Sequence, residues 1–187
     1  AYPANPEDGY GWEKLFSERM CRHYLEDHGL DVKVARYHNV YGPNGTYDGG
    51  REKAPAALCR KVILANQKNS DIIDVWGDGK QTRSFLFIED CVDATLQFFN
   101  SDHHGPINIG SEEKVSINEM IEKIEKISSK NFKKNYQLDK PKGVRGRNSN
   151  NDLIRKLLKW EPKYNLYDGL KKTYHWIEED IKKKHNQ

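Results

Sequence analysis

Tyr10 and Lys14 stand four residues apart in "DGYGWEKLF", residues 8–16. On a helix that spacing puts both side chains on one face, with Cβ atoms about 5–6 Å apart. A free tyrosine, with a pKa near ~10, is a poor base at neutral pH, and a neighbouring ammonium favours its phenolate. Such a pair can take a proton from a hydroxyl group. Tyr and Lys four apart also occur on ordinary amphipathic helices, so the pair alone decides nothing. Lys53 is a second candidate. It stands at an expected helix start, two residues after Arg51. The helix dipole slightly disfavours a cation there, and a like charge nearby works against its protonation. A solvated lysine is the plain alternative to an acid/base lysine. The third group is cationic: Arg83 in "QTRSF", Arg145 and Arg147 in "GVRGR", and Lys61 in "CRK". Guanidinium forks and ammonium groups suit anionic phosphates. For any one arginine, a surface salt bridge of little worth is the competing explanation.

Composition bounds what these groups can serve. The 187 residues suffice for one domain with a core, at 36% hydrophobic and 32% charged residues. A net charge of +3 is too small to argue for nucleic acid, and none is expected as a partner. No apolar run approaches the ~20 residues of a membrane helix, so no membrane partner is expected. The start, "AYPANPEDGY", is polar and shows no signal peptide. Cys21, Cys59 and Cys91 are scattered and odd in number, which fits thiols in a reducing cytoplasm. Neither they nor the histidines show metal-ligand spacing, so no metal is expected. "KKKHNQ" reads as a solvated helix end.

The elements that must position the candidates alternate between strand and helix, which predicts an α/β fold. A first helix is expected from Asp8 to His28, capped by Asp8 and stopped by Gly29, with Trp12, Leu15, Phe16, Met20 and Tyr24 as its apolar residues. "DVKVARYHNV" reads as a strand and "YGPNGTYDGG" as a loop. A second helix is expected to begin near Lys53. "DIIDVWGDGKQTRSFLFI" reads as strand, tight turn and strand, followed by the helix "EDCVDATLQFF". "GPINIG" predicts a buried strand. "SINEMIEKIEKIS" predicts a helix with a capping box, Ser116 with Glu119. Then come a strand at "NYQLD", a short helix capped near Ser149, and a last helix from about Leu166 with Leu170, Tyr174, Ile177 and Ile181 on one face. Trp12, Trp160 and Trp176 read as core, and Trp76 as packing at a strand end. No glycine-rich pyrophosphate turn occurs. The chain is therefore expected to be the later part of a larger protein.

Four segments in order, "YGWEK", "RYHNVYGP", "WGDGKQTRSFLFIEDCVDA" and "PINIGSEEKVSINEM", resemble the extended short-chain dehydrogenase family of sugar-nucleotide epimerases and dehydratases. "GVRGRNSNNDLIRKLLKWEPKYNLYDGL" resembles the C-terminal segment of that family. "GGREKAPAALCRK", residues 49–61, narrows the likeness to members that act on GDP-mannose. The resemblance implies part of a Rossmann-like parallel sheet with a smaller mixed α/β substrate domain. Residues 1–42 and about 82–110 would form the late part of the NAD-binding domain. Residues about 43–81 and 111–187 would belong mainly to the substrate domain. It implies NAD as cofactor, with Tyr10 and Lys14 both catalytic and cofactor-binding. It implies transient oxidation at carbon 4, then inversion at carbons 3 and 5 with Lys53 as an acid/base. Substrate contacts are implied for Asn39, Glu52, Lys61, Gln81, Arg83 and Arg147, and a homodimer through the first helix. The glycine-rich loop and a second acid/base, a cysteine, would lie upstream of Ala1. The chain alone would then be inactive, and none of its cysteines would be catalytic. Two alternatives stand beside this reading. One is another NAD-dependent reaction of nucleotide sugars, a 4-epimerase, 4,6-dehydratase or decarboxylase. The other is a non-catalytic nucleotide-sugar or partner-binding module.

Overall fold

A computed structural model describes residues 4–6, 8–140 and 146–185. Arg145 and the last two residues of "KKKHNQ" lie outside them. The first helix, α1 (Gly9–His28), opens where the Asp8 carboxylate accepts the Gly11 N–H at 3.0 Å. It closes at Gly29, whose φ of 63° is a conformation glycine adopts without a Cβ clash and whose N–H reaches Leu25 O. A short connection leads to β1 (Ala35–Tyr37), which pairs in parallel with β6 (Ile107–Ile109). β2 (Val40–Tyr41) pairs in parallel with β5 (Leu86–Phe87), and β3 (Ile72–Trp76) with β8 (Lys133–Gln137). A three-stranded sheet holds β4 (Thr82–Ser84) between β7 (Lys114–Ser116), antiparallel, and β9 (Gly146–Arg147), parallel. The other helices are α2 (Ala54–Gln67), α3 (Ile88–Phe99), α4 (Ile117–Ser128), α5 (Asp152–Leu158) and α6 (Leu166–His185).

Two apolar clusters hold these elements. In the larger, α2, α4 and α6 pack with β3 through Cys59, Val62, Met120, Ile124, Leu170 and Ile177, each at most 1% exposed. In the smaller, β1 and β6 pack with α3 through Leu86, Ala94, Ile107 and Ile109. Buried Asp90 accepts the backbone N–H groups of Lys163 and Tyr164, both at 3.0 Å.

The strands expected on either side of Gly77-Asp78-Gly79 are present, and each pairs with a distant strand rather than with the other. α5 is capped at Asn151, two residues from Ser149, which is buried and donates its hydroxyl to Asn151 Oδ1 at 2.7 Å. Trp12 is not core but 56% exposed, while Trp160 is 3% exposed as expected. Trp76 is 54% exposed, with Lys61 above its ring rather than a packed wall. Ile154 and Trp160 join the smaller cluster, while Met120, Ile124, Leu170 and Ile177 belong to the larger. The capping box at Ser116 and Glu119 is present, as is the buried stripe of α6.

Candidate active site

α1 runs back along β1, so the helix N-terminus lies by the strand's C-terminal end. Between them is a cleft of about 540 Å³ lined by Tyr10, Lys14, Ser17, Cys21 and the segment Lys33–Tyr37. Lys14 Nζ lies 5.4 Å from the Tyr10 ring centroid, and Tyr10 is 68% exposed. Arg36 ties the helix to the strand with a two-armed bond to Glu18, its Nε at 2.7 Å from Oε1. In open α/β sheets ligands bind at the carboxyl ends of parallel strands. Tyr10 and Lys14 stand at that end. A phenol hydroxyl and an ammonium group there can hydrogen-bond to the hydroxyl groups of a ligand. The chain offers no glycine-rich cradle for the pyrophosphate.

The next residues along the chain carry the second group. Asn39, with φ of 30°, donates from Nδ2 to Ser84 O at 3.2 Å, and its carbonyl accepts the Leu86 N–H. Asn39 thereby joins the end of β1 to β4, where Arg83 stands in register with Arg147 of β9. The two guanidinium groups have no carboxylate partner among the described residues; Arg83 donates only to Thr82 O, at 2.7 Å. Burial, and then the charge of Arg147, push Arg83 below its ordinary pKa. Burial and Arg147 likewise push His38 down, partly offset by a hydrogen bond with Asn108. Two unneutralised cations side by side mark a site that favours an anion.

A third group lies beyond them. Gln81 donates from Nε2 to Trp76 O at 3.1 Å, and its Oε1 is buried without a partner. Lys61 donates to Asp74 O at 2.9 Å, with Nζ 5.7 Å from the Trp76 ring centroid. Its pKa is lowered by burial first, with Asp74 and Glu52 opposing. Glu52 accepts from Arg60 at 3.4 Å through Oε1, and its Oε2 is buried without a partner. Lys53, exposed, is the N-cap residue of α2 and has no carboxylate partner among the described residues.

The three groups follow one another along the chain and its strand pairs: the Tyr10 cleft ends at Tyr37, Asn39 bonds to Ser84 beside Arg83, and Gln81 and Lys61 meet at Trp76. No hydrogen bond or ion pair joins Tyr10 or Lys14 to Lys53. Arg145 was also a candidate and lies outside the described residues. Burial pushes the thiols of Cys59 and Cys91 up, away from the reactive thiolate. His38 lies close enough to Arg147 to feel its charge, and the ring of Trp76, expected to pack at the strand end, is instead open.

The fold is that of a Rossmann-like α/β protein. The crystal structure of UDP-glucose 4-epimerase from Thermotoga maritima with UDP-glucose matches with a TM-score of 0.82 at 25% identity, covering 92% of this chain and 54% of that one. UDP-glucuronic acid 4-epimerase from Bacillus cereus in complex with NAD matches with a TM-score of 0.77 at 30% identity, covering 94% and 52%. The chain belongs to the NAD dependent epimerase/dehydratase family, which matches residues 1–110. GDP-mannose 3,5-epimerase 1 of Oryza sativa subsp. indica is 50% identical over 187 residues, covering 100% of this chain and 48% of that protein. The chain spans about half the length of the curated relatives it matches.

Proposed function

We propose that this chain is the C-terminal portion of an NAD-dependent nucleotide-sugar epimerase acting on GDP-mannose, with inversion at carbons 3 and 5. The observation that carries the reading is the Arg83–Arg147 pair. It is free of carboxylates among the described residues and linked through Asn39 to the end of the strand beside Tyr10. A nucleotide diphosphate supplies the charge that pair lacks.

NAD, when bound, supplies hydride acceptance and return at carbon 4. Tyr10 takes the carbon-4 hydroxyl proton, assisted by the Lys14 ammonium, and gives it back at the end. A ketone at carbon 4 acidifies the protons on carbons 3 and 5. Lys53 exchanges protons at those centres from one face. Lys61, Gln81 and Glu52 hold the nucleotide sugar, Arg83 and Arg147 its phosphates, and Asn39 orients it from the strand end.

The larger apolar cluster fits the substrate domain and the smaller one the NAD-binding side. The division falls near residues 42, 82 and 110, with the α5 segment on the NAD side. We assign the protein to the cytoplasm on its three free thiols; no helix among the described residues is long and apolar enough to cross a membrane. α1 offers Trp12, Phe16, Met20 and Tyr24 on its open face, which fits a homodimer built through that helix. Sedimentation of the full-length protein as a monomer at micromolar concentration would count against it.

The deciding experiment gives full-length protein GDP-mannose in deuterated water. Deuterium enters at both centres beside carbon 4, and Tyr10→Phe lowers that exchange by about 10²–10⁴-fold. Exchange at carbon 4 alone, or none, overturns the reading. Titration with NAD and with GDP-mannose separates an enzyme, which needs both, from a binding module.

A further inference from the structure

The turn that carries Lys53 is held from behind by one side chain. Arg60 Nη1 lies 3.3 Å from Asp48 Oδ1, and Nη2 lies 3.4 Å from Glu52 Oε1. The two carboxylates stand on either side of Gly49 and Gly50, whose φ values of 90° and 82° reverse the chain. One guanidinium therefore closes the loop that those glycines open. The Glu52 arm of the grip is sheltered, with the Arg60 side chain 21% exposed and that of Glu52 12%, while the Asp48 arm reaches out to a carboxylate 69% exposed. The base of the loop is fixed separately. Tyr47 donates to Asp180 Oδ2 at 2.5 Å and accepts from Lys184 Nζ at 2.8 Å, both on α6.

Lys53 follows Glu52 directly and caps α2 without any side-chain bond of its own. Arg60 is seven residues further on, within the second turn of α2. The direction in which Lys53 leaves the helix is set by the backbone of Glu52, and Arg60 holds Glu52. The clamp also leaves Glu52 Oε2 and Arg60 Nε buried and unpartnered. A contact serving stability alone has no use for such orphaned atoms, each of which costs free energy.

We propose that Arg60 is a positioning residue: by gripping Asp48 and Glu52 at once it fixes the turn that presents Lys53 and aims the free oxygen of Glu52. The functional half of this rests on Lys53 acting as an acid/base. An ammonium at position 60 keeps the charge but lacks two arms in fixed geometry, so Arg60→Lys is the informative variant.

In the 187-residue chain, Arg60→Lys raises amide hydrogen exchange at residues 48–53 by about 10-fold or more, with α6 and β3 unchanged. Unchanged exchange at 48–53 overturns the clamp, and a rise spread over the whole chain reduces it to a folding contact. In the full-length protein, Arg60→Lys lowers deuterium entry at carbons 3 and 5 by about 100-fold, the scale of a misplaced catalytic group. Tyr10-dependent oxidation at carbon 4 persists. Equal loss of both reactions, or retained deuterium entry, overturns the positioning role. Lys53→Met is the control: if it leaves deuterium entry intact, the role of Lys53 falls, while the exchange result still judges the clamp.

Discussion

α1 and α6 are both 20 residues long, yet they belong to the molecule in opposite ways. α6 buries Leu166, Leu170, Thr173, Tyr174, Ile177 and Ile181 against α2 and α4. α1 buries nothing. It keeps its shape by a cap at each end and the Arg22–Glu26 pair along its surface, and it is tied to β1 by the ion pair of Glu18 with Arg36. Its half-buried side, Leu15, Cys21 and Leu25, faces β1, and its aromatic side faces solvent. The helix that carries the candidate chemistry is therefore a surface of this chain, and the helix without chemistry is its core. Residues in α1 should act on ligands and partners, and residues in α6 on stability.

The strongest way to break that contrast is to truncate one side chain in each helix. Ile177→Ala removes a fully buried side chain and costs about 2–5 kcal/mol. Phe16→Ala, at a residue 66% exposed, stays within about 0.5 kcal/mol. Urea denaturation of the 187-residue chain measures both. A Phe16 variant as damaging as the Ile177 variant would show α1 to be part of the core.

Glycines sharpen the comparison at smaller scale. A Cβ on Gly169 would stand 2.2 Å from the Tyr41 hydroxyl and 2.9 Å from the Phe87 ring. Gly169→Ala therefore destabilises by about 1–3 kcal/mol, the usual scale of overpacking. A Cβ on Gly9 meets nothing within 4 Å. Gly9→Ala stabilises by about 0.4–1 kcal/mol by restricting the unfolded chain. Thermal unfolding should move in opposite directions for the two variants.

The caps give a third test. Asp8→Ala removes the carboxylate that holds the Gly11 N–H and costs α1 about 1 kcal/mol. Because α1 is not in the core, the loss should show as faster amide exchange within Gly9–His28 and leave exchange in α6 unmoved. A fall in the protection of both helices would mean they unfold together.

Local signals carried well from the sequence. Asp8, Gly29, Ser116 with Glu119, and the apolar period of α6 each depend on residues within a turn or two of each other. What did not carry was chosen by distant partners. β4 pairs with strands some 30 and 60 residues away, and two- or three-residue strands have no periodicity to read. "SNN" offers three residues of good cap type for α5, and Asn151, at the cap position, spends its side chain on Gly110 O and Ser149. Its cap position follows from that tertiary contact. Trp12 has core composition on a helix whose apolar pattern shows a face without showing what covers it. In the candidate site the Tyr10–Lys14 spacing was visible because it is helical. Arg60 was not, since its role depends on two carboxylates brought together by Gly49 and Gly50.

Acid should separate the two helices most finely. Glu26 on α1 and Asp180 on α6 each pair with a basic residue four positions away, Arg22 and Lys184. Hydrogen bonding from Arg22 holds Glu26 below its usual range; Lys184, and then Tyr47, do the same for Asp180. A folded-state pKa below the unfolded value means stabilisation that is present above the ordinary carboxylate pKa, near ~3.9 for Asp and ~4.3 for Glu. That stabilisation is lost as pH falls through the lowered value. The partners make the two losses different. Protonating Glu26 weakens a contact within one exposed helix. Protonating Asp180 weakens the bond that fixes Tyr47, and with it the base of the loop leading to Lys53. Lowering the pH below the ordinary Asp range should therefore shift the Tyr47 ring resonances in step with Asp180, and Asp180→Asn should abolish that step. A Tyr47 shift that survives Asp180→Asn would separate the loop from α6.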